Sequence, residues 1–203
     1  MNGPLELLEA GDERLAASTD LMLARRLVAA SVGDAVGQPE LRARIVDFVA
    51  RHDDAALRSC HDGHLTGSAL VVDAQAQRVL VLFHRKAQRW LQPGGHADGD
   101  TNLAAVARRE AIEETGIPGL RVAIPAIDVD IHEVHFAGEQ PHLHLDVRFL
   151  IVAPAGAIER GNDESEALRW VTLDELAALE GVDAGTLRMA RRGLELRTEL
   201  VGR

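Results

Sequence analysis

The sequence predicts an α/β fold in which helices cover both faces of a mixed β-sheet, with a helical extension at the N-terminus. Three observations support this prediction. Short β-type runs begin near residue 68, a helical segment interrupts them, and hydrophobic residues recur at helical spacing at both ends of the chain. Strands interspersed with helices are typical of a sheet packed on two faces.

The N-terminal part of the chain is expected to be helical. One helix is predicted over residues 20–31, with Asp20 available as a cap, and a second helix opens at Pro39, which suits a first helical turn. The residues between this second helix and the first strand, 60–67, are expected to form a loop.

The central part of the chain is expected to carry the sheet. A helix is predicted over residues 101–115, because Gly116 and Pro118 supply a C-terminal stop. The predicted strands cover residues 69–72, 79–83, 127–136 and 143–152, with a turn near Gly138 between the last two.

Two further helices are predicted at the C-terminal end. Thr172 and Glu175 have the spacing of a capping box, which predicts a short helix through residue 179. Asp183 is placed to cap a last helix that reaches residue 196.

Composition limits the classes of function. The 203-residue chain carries a net charge of −10 and no long basic run, so we expect no nucleic-acid partner. No basic start precedes an apolar stretch, so neither secretion nor membrane insertion is expected. The single cysteine, Cys60, excludes an intramolecular disulfide, which favours a cytoplasmic protein, and no motif marks Cys60 as a nucleophile.

Three glutamates carry the clearest chemical signal. Glu110, Glu113 and Glu114 stand at i, i+3 and i+4 of the predicted helix, so their carboxylates share one face. Like charges at this spacing destabilise a helix, but oxygen-seeking cations such as Mg²⁺ or Mn²⁺ bind between them. The pattern therefore favours a metal site over a solvated acidic face.

A glycine-rich segment precedes this helix. Residues 92–100 contain Gly94, Gly95 and His96 and lead directly to the helix start. We expect a loop whose free N–H groups meet phosphate oxygens. The basic residue Arg89, three positions before this segment, is a candidate phosphate contact, although a solvated position is the simpler reading.

The segment from Gly95 through Arg109-Glu110-Ala111-Ile112-Glu113-Glu114-Thr115-Gly116-Ile117 resembles the Nudix box. The resemblance extends from about Gly63 to Leu179 and implies a Nudix-type α/β/α sandwich. One position departs from the family pattern: Thr101 stands where the family has an isolated glutamate, and we expect Thr101 to cap the helix instead. The implied organisation is an N-terminal helical extension over 1–62 and a Nudix hydrolase domain over 63–203.

The resemblance implies a diphosphate hydrolase. Glu110, Glu113 and Glu114 would hold Mg²⁺ or Mn²⁺ together with Gly95, and Arg109 would orient the glutamates. Gly94, Gly95, His96 and Arg89 would contact a small diphosphate substrate. A homodimer is compatible with the family. Two alternatives are a Nudix-like nucleotide-binding regulatory domain without catalysis and an isoprenoid-diphosphate isomerase, although the isomerase needs a catalytic cysteine that Cys60 does not supply.

Two predicted strands carry alternating polar residues. His144 and Asp146 alternate with Leu143, Leu145 and Val147, so the two polar residues share a face. We expect this face to look toward the glutamate helix and His144 and Asp146 to bind substrate. Extra metal ligands or an ordinary solvent-facing side of the sheet are the alternatives. Glu164 is a further candidate metal-site acid.

Overall fold

The fold is taken from a computed structural model that describes residues 5–135, 140–163 and 165–201. The predicted turn at Gly138 and the candidate acid Glu164 lie outside these residues. The strands are β1 (Glu6–Leu8), β2 (Gly63–Val72), β3 (Val79–His84), β4 (Arg89–Leu91), β5 (Gly94–His96), β6 (Arg121–Ile124), β7 (Asp128–Val134), β8 (His142–Val152) and β9 (Ser165–Val171). The helices are α1 (Leu21–Ala29), α2 (Gln38–Arg51), α3 (Leu103–Thr115), α4 (Leu173–Ala178) and α5 (Ala184–Val201), and a short 3₁₀ turn covers Glu13–Leu15.

The strands form one mixed sheet, as predicted. Its main order is β1-β6-β8-β2-β3-β4, while β5 also pairs with β2, β7 with β8, and β9 with β3. Strands β2 and β8 run parallel from the pair Gly63/Leu143 to the pair Val72/Val152, and the other described pairs are antiparallel. This central parallel pair sets which side chains of the two strands lie beside one another.

Helices cover both faces of the sheet, which confirms the α/β/α architecture. On one face, Leu65 and Val147 share a hydrophobic cluster with residues of α1, α2 and α3. On the other face, Leu70 and Val152 pack with Met189 of α5. The alternation of strand side chains thus divides the core into two layers.

The N-terminal part of the chain adds more than helices. Strand β1 pairs with β6, with Leu7 opposite Ala123. On α2, the buried side chain of Gln38 donates to the carbonyl of Val129 at 2.8 Å and accepts from the Val129 amide at 3.0 Å. Residues that precede the Nudix-like segment therefore complete both an edge and a face of the sheet.

Local capping signals were predicted correctly in the C-terminal part. Thr172 and Glu175 form the capping box of α4, and the Asp183 side chain accepts from the Thr186 amide at 2.7 Å at the start of α5. In contrast, the expectation of a loop over residues 60–67 is correct only for residues 60–62, because β2 already begins at Gly63. In the described part of the chain, no helix has the length and apolar character needed to cross a bilayer.

Candidate active site

The glutamate helix α3 begins at Leu103, and its cap is Asn102, whose Oδ1 accepts from the Ala105 amide at 3.4 Å. The expected capping role of Thr101 is therefore wrong. The Thr101 hydroxyl is used elsewhere, because it donates to the carbonyl of Ser18 at 3.0 Å. The helix ends at Gly116, whose left-handed conformation (φ 64°) lets its amide bond to the Ile112 carbonyl.

Helix α3 lies very close to β2 because Gly67 has no side chain. A Cβ atom at Gly67 would lie 2.9 Å from the carbonyl oxygen of Leu103 and 3.0 Å from the amide of Ala107. Val106 is also near, with its Cγ1 atom 3.0 Å from the position of such a Cβ atom. This close packing brings the polar side of the helix next to β5, the neighbour of β2.

Glu114 is held by the backbone of β5. Its side chain is buried, with 3% of the residue exposed, and Oε2 accepts a hydrogen bond from the Gly94 amide at 2.8 Å. A charge-assisted bond of this kind orients the carboxylate and offsets part of its desolvation. Glu114 therefore occupies a defined position rather than a solvated one.

Glu110 lies against the next residue of β5. A Cβ atom at Gly95 would overlap the Glu110 carboxylate, so this position of β5 accommodates only glycine without a shift. On its other side, Glu110 Oε1 accepts from Nη2 of Arg109 at 2.8 Å, and the same Nη2 donates to the carbonyl of His96 at 3.2 Å. Burial opposes the charged form of Arg109, but the hydrogen bond to Glu110 and the Glu110 charge raise its pKa.

Glu113, the third acid, is exposed to solvent. The three glutamates thus share one side of α3, but they differ in environment: Glu114 is buried, Glu110 is half-buried beside Arg109, and Glu113 faces solvent. Two hard, oriented carboxylates next to an accessible one are a suitable donor set for a divalent cation such as Mg²⁺.

The glycine-rich segment is partly a strand. Gly94, Gly95 and His96 pair in antiparallel register with Ser68, Gly67 and Thr66 of β2. The expectation that its amides are free for phosphate is wrong for Gly94, whose amide binds Glu114. A three-residue strand shows no periodicity that a sequence pattern would detect.

Arg89, another predicted substrate contact, lies on the edge strand β4 opposite His84. Its Nε atom is buried and has no hydrogen-bond partner among the described residues. No hydrogen bond within the described residues joins Arg89 to the α3 glutamates, so its substrate role stays a prediction.

His144 and Asp146 share a face of β8, as predicted, but the expected direction of that face was wrong. Leu145 and Val147 belong to the cluster under α3, so His144 and Asp146 point to the opposite side of the sheet. His144 still approaches the glycine-rich strand from that side, because its ring centroid lies 5.0 Å from that of His96. The predicted substrate role of the two residues remains untested.

Asp146 is the centre of a buried polar network. Only 1% of the residue is exposed, and its carboxylate accepts from the hydroxyls of Thr66 at 2.8 Å and Ser68 at 2.9 Å and from Nε of Arg148 at 2.8 Å. Ser68 lies directly beside Gly94 in the sheet. Asp146 therefore supports the back of the strand whose front holds Glu114.

The network continues into β7 and α5. Arg148, which is 2% exposed, also pairs with Asp128 at 3.2 Å and Asp130 at 3.1 Å, and Arg188 of α5 pairs with the same two aspartates. Despite burial, the hydrogen bond from His132 and the charge of Arg148 hold the pKa of Asp130 well below its usual range. The charged groups of Asp128, Asp130, Asp146 and Arg148 on this face thus pair with one another, and Arg188 of α5 joins them.

Several residues near the site escaped the sequence analysis. His64, Thr66 and Ser68 of β2 alternate with the same period as His144 and Asp146, and the parallel register places the pairs His64/His144 and Thr66/Asp146 side by side. The alternation of these residues is visible in the sequence, but the sequence does not show that β8 is the strand that pairs with β2. Burial raises the pKa of the Cys60 thiol to about 11, which is consistent with the prediction that Cys60 is not a nucleophile.

Comparison with known proteins identifies this arrangement. The family model for the NUDIX domain matches residues 64–192, which is more than half of the chain. No significant match is found among curated proteins.

Solved structures share the fold at low sequence identity. A NUDIX-family hydrolase from Clostridium perfringens aligns with a TM-score of 0.51 and 24% identity over 66% of this chain and 97% of the other. The E. coli dihydroneopterin triphosphate pyrophosphohydrolase gives a TM-score of 0.51 and 19% identity over 64% and 95% of the two chains. A C. elegans Ap4A hydrolase gives 0.50 and 16% over 68% and 97%.

The family model and the fold agree with each other and with the motif that begins at Gly95. The chain therefore belongs to the NUDIX domain family.

Proposed function

We propose that the protein is a divalent-metal-dependent hydrolase that cleaves a diphosphate bond in a nucleoside-diphosphate-linked or related small molecule. The observation that carries this proposal is the contact between α3 and β5. The Glu114 carboxylate accepts a hydrogen bond from the Gly94 amide, and the Glu110 carboxylate packs against Gly95. The two carboxylates are thereby oriented in advance, as a charge-stabilising site requires.

The residues fit a hard cation. Glu110, Glu113 and Glu114 would hold Mg²⁺ or Mn²⁺, since carboxylate oxygens are the ligands these ions prefer. A backbone oxygen of Gly95 is the further ligand that the family resemblance implies. When bound, the cation neutralises phosphate oxygens and lowers the pKa of an attacking water.

Residues of the chain hold the glutamate carboxylates in position. Arg109 acts as a positioning residue, because a single Nη2 atom fixes Glu110 relative to the His96 carbonyl of β5. The Gly94 amide does the same for Glu114. Glu113, which is exposed, lies where solvent water and substrate have access. Catalysis of phosphoryl transfer depends mainly on such positioning and on electrostatic stabilisation.

The substrate class follows from charge and from the names of related folds. The C. elegans and E. coli proteins are named for Ap4A and for dihydroneopterin triphosphate, two compounds with linked phosphates. A chain with a net charge of −10 needs cations at its site to receive such an anion. We therefore propose a phosphate-linked small molecule that binds at the glutamates of α3, with Arg89 as a candidate contact. The substrate roles predicted for His144 and Asp146 stay predictions, because both residues point to the opposite face of the sheet.

A substrate panel tests the function. The purified protein is incubated with dinucleoside polyphosphates, nucleotide sugars, ADP-ribose and nucleoside triphosphates, with and without Mg²⁺, and released phosphate and nucleoside monophosphate are measured. We expect Mg²⁺-dependent turnover of at least one compound and its loss in Glu113→Gln, an exposed position where folding is safe.

Glu40→Gln, a change at an exposed glutamate of α2, is the matched control and retains turnover. Tight, saturable binding of a nucleotide by the wild-type protein without turnover of any compound would instead favour the non-catalytic regulatory alternative.

A further inference from the structure

A cluster of histidines lies on the face of the sheet opposite α3, and His132 of β7 is at its edge, with its ring centroid 5.5 Å from that of His144. His64 of β2 and His144 of β8 are register neighbours, and His142 lies two residues before His144 on the same face. The ring centroid of His64 lies 4.8 Å from that of His142 and 5.1 Å from that of His144. His96 of β5 completes the group, at 4.9 Å from His64 and 5.0 Å from His144.

Three of these residues can direct a ligand atom to a common point. One ring nitrogen each from His64, His142 and His144 lies within 4.8 Å of the other two. Nitrogen ligands of a tetrahedral zinc ion sit about 2.0 to 2.1 Å from the metal. Nitrogens around such an ion lie about 3.3 Å apart, so the three rings need to approach one another by no more than about 1.5 Å to bind it.

Three buried ring nitrogens, two of His64 and one of His144, make no hydrogen bond of good geometry within the described part of the chain. His64 is 3% exposed, and neither of its ring nitrogens makes a hydrogen bond of good geometry to a described residue. Nε2 of His144 is also buried without such a partner. An unsatisfied buried polar atom is costly, and coordination of a metal ion is one way in which such a ring nitrogen is satisfied.

The orientation of His142 fits the same purpose. Its Nδ1 lies 2.9 Å from the backbone carbonyl of Gln140, and only an Nδ1–H can donate to that oxygen. This tautomer leaves the lone pair on Nε2. A histidine that donates one ring N–H to a carbonyl and presents its other nitrogen is the usual form of a metal ligand.

The rings of His64, His96 and His144 favour the uncharged form because their pKa values are lowered. Burial and the neighbouring rings lower the pKa of His144 to about 2, and burial and nearby Arg58 lower the pKa of His96 to about 4. Burial also lowers the pKa of His64, and the nearby Cys60 carbonyl opposes this shift without reversing it. Neutral imidazoles bind metal ions but do not attract phosphate.

We infer that His64, His142 and His144 form a binding site for a transition-metal ion of the Zn²⁺ class, separate from the glutamates of α3. Three imidazole nitrogens prefer Zn²⁺, Co²⁺ or Ni²⁺ to Mg²⁺, whereas the α3 carboxylates prefer Mg²⁺. The fourth position belongs to His96 or to a water. The inference is independent of the proposed hydrolase activity.

Metal binding by the intact protein tests the site directly. Metal-free protein is titrated with Zn²⁺ by calorimetry and with Co²⁺ by visible absorption, both in excess Mg²⁺, which occupies the carboxylates. We expect one ion per chain and a Co²⁺ spectrum with nitrogen ligands. Glu114→Gln should leave both unchanged, which separates this site from that of α3.

Ligand variants identify the residues. His142→Ala alters a half-buried residue at the start of β8 and is expected to fold, as far-UV circular dichroism would verify. Its Zn²⁺ dissociation constant should rise by at least the 10- to 100-fold that loss of an outer partner typically causes. His144→Ala should act alike, and His135→Ala, at an exposed histidine, is the matched control.

The inference is overturned if folded His142→Ala binds Zn²⁺ as tightly as the wild type. It is equally overturned if excess Mg²⁺ displaces Zn²⁺, or if Glu114→Gln abolishes Zn²⁺ binding while the histidine variants retain it.

Discussion

Gly95 lies so close to Glu110 that a methyl group on its Cα would overlap the carboxylate. Gly95→Ala must therefore push Glu110 aside or shift β5. A displacement of about 1 Å at a reacting centre costs roughly a hundredfold in rate, so we expect kcat to fall by that order while the fold persists. Gly185→Ala is the control, because a Cβ there would meet only the ends of two side chains, Nη1 of Arg148 at 3.1 Å and Oδ1 of Asp183 at 3.2 Å, and the variant should keep its activity. Equal kcat in Gly95→Ala and wild type would contradict the placement of Glu110 in the site.

Glu114→Gln removes a charge but keeps an acceptor for the Gly94 amide. We expect the melting temperature to change little and turnover to fall by about two orders of magnitude or more, the effect of losing a preorganised charge. Steady-state kinetics at saturating Mg²⁺ and circular dichroism measure the two quantities. Near wild-type turnover would exclude Glu114 from the metal site.

Asn102 both caps α3 and binds the N-terminal segment, because its Nδ2 donates to the carbonyls of Arg14 at 2.8 Å and Ala16 at 2.9 Å. Asn102→Ala should lower the free energy of unfolding by about 2 to 3 kcal/mol, from one cap and two hydrogen bonds. Asn102→Ser keeps a good capping side chain and should lose less. Urea denaturation measures the difference, and equal losses in the two variants would argue against a capping contribution.

Asp146→Ala removes the acceptor shared by Thr66, Ser68 and Arg148. Breaking one partner of a buried charged network typically costs about 3 to 5 kcal/mol, and we expect a loss of that order in the free energy of unfolding. The control is Asp34→Asn, whose ion pair with Arg192 is exposed and contributes less than about 1 kcal/mol. If Asp146→Ala kept full stability but lost substrate affinity, Asp146 would be a binding residue rather than a support.

His64→Leu tests how much the buried His64 ring lowers the free energy of unfolding of the metal-free protein. Since both ring nitrogens of His64 are buried without good hydrogen bonds, an apolar side chain of similar size should raise the unfolding free energy of the metal-free protein, by up to about 1 to 3 kcal/mol. Zn²⁺ should stabilise the wild type and no longer stabilise the variant. Thermal unfolding with and without Zn²⁺ measures both effects, and a metal-free variant less stable than the wild type would contradict the reasoning.

Signals that are local in sequence were predictable. The spacing of Thr172 and Glu175 gave the cap of α4, and the i, i+3, i+4 positions of the glutamates put them on one side of α3. The sequence did not predict that Asn102 rather than Thr101 caps α3. That choice depends on the Ser18 carbonyl, distant in sequence, which accepts a hydrogen bond from the Thr101 hydroxyl.

Pairings between distant strands were also beyond reach of a single sequence. His64 and His144 are eighty positions apart, and only the parallel register of β2 and β8 brings them together. The direction of the polar face of β8 depends on where α3 packs, which alternation alone does not specify. Strand β5 exists because it pairs with β2, and its three residues carry no pattern of their own.

The ties between the N-terminal segment and the start of α3 bear on how the gene can be shortened. The Ser18 carbonyl accepts a hydrogen bond from the Thr101 hydroxyl, and the Ser18 amide donates to the Asp100 carboxylate at 3.0 Å. The carbonyls of Arg14 and Ala16 accept hydrogen bonds from the Asn102 side chain. A truncated protein that began at residue 63, where the recognisable motif sequence starts, would leave these buried donors and acceptors to water and open the edge of β6. The segment whose sequence resembles the family is therefore shorter than the shortest fragment of this chain that we expect to be a stable protein.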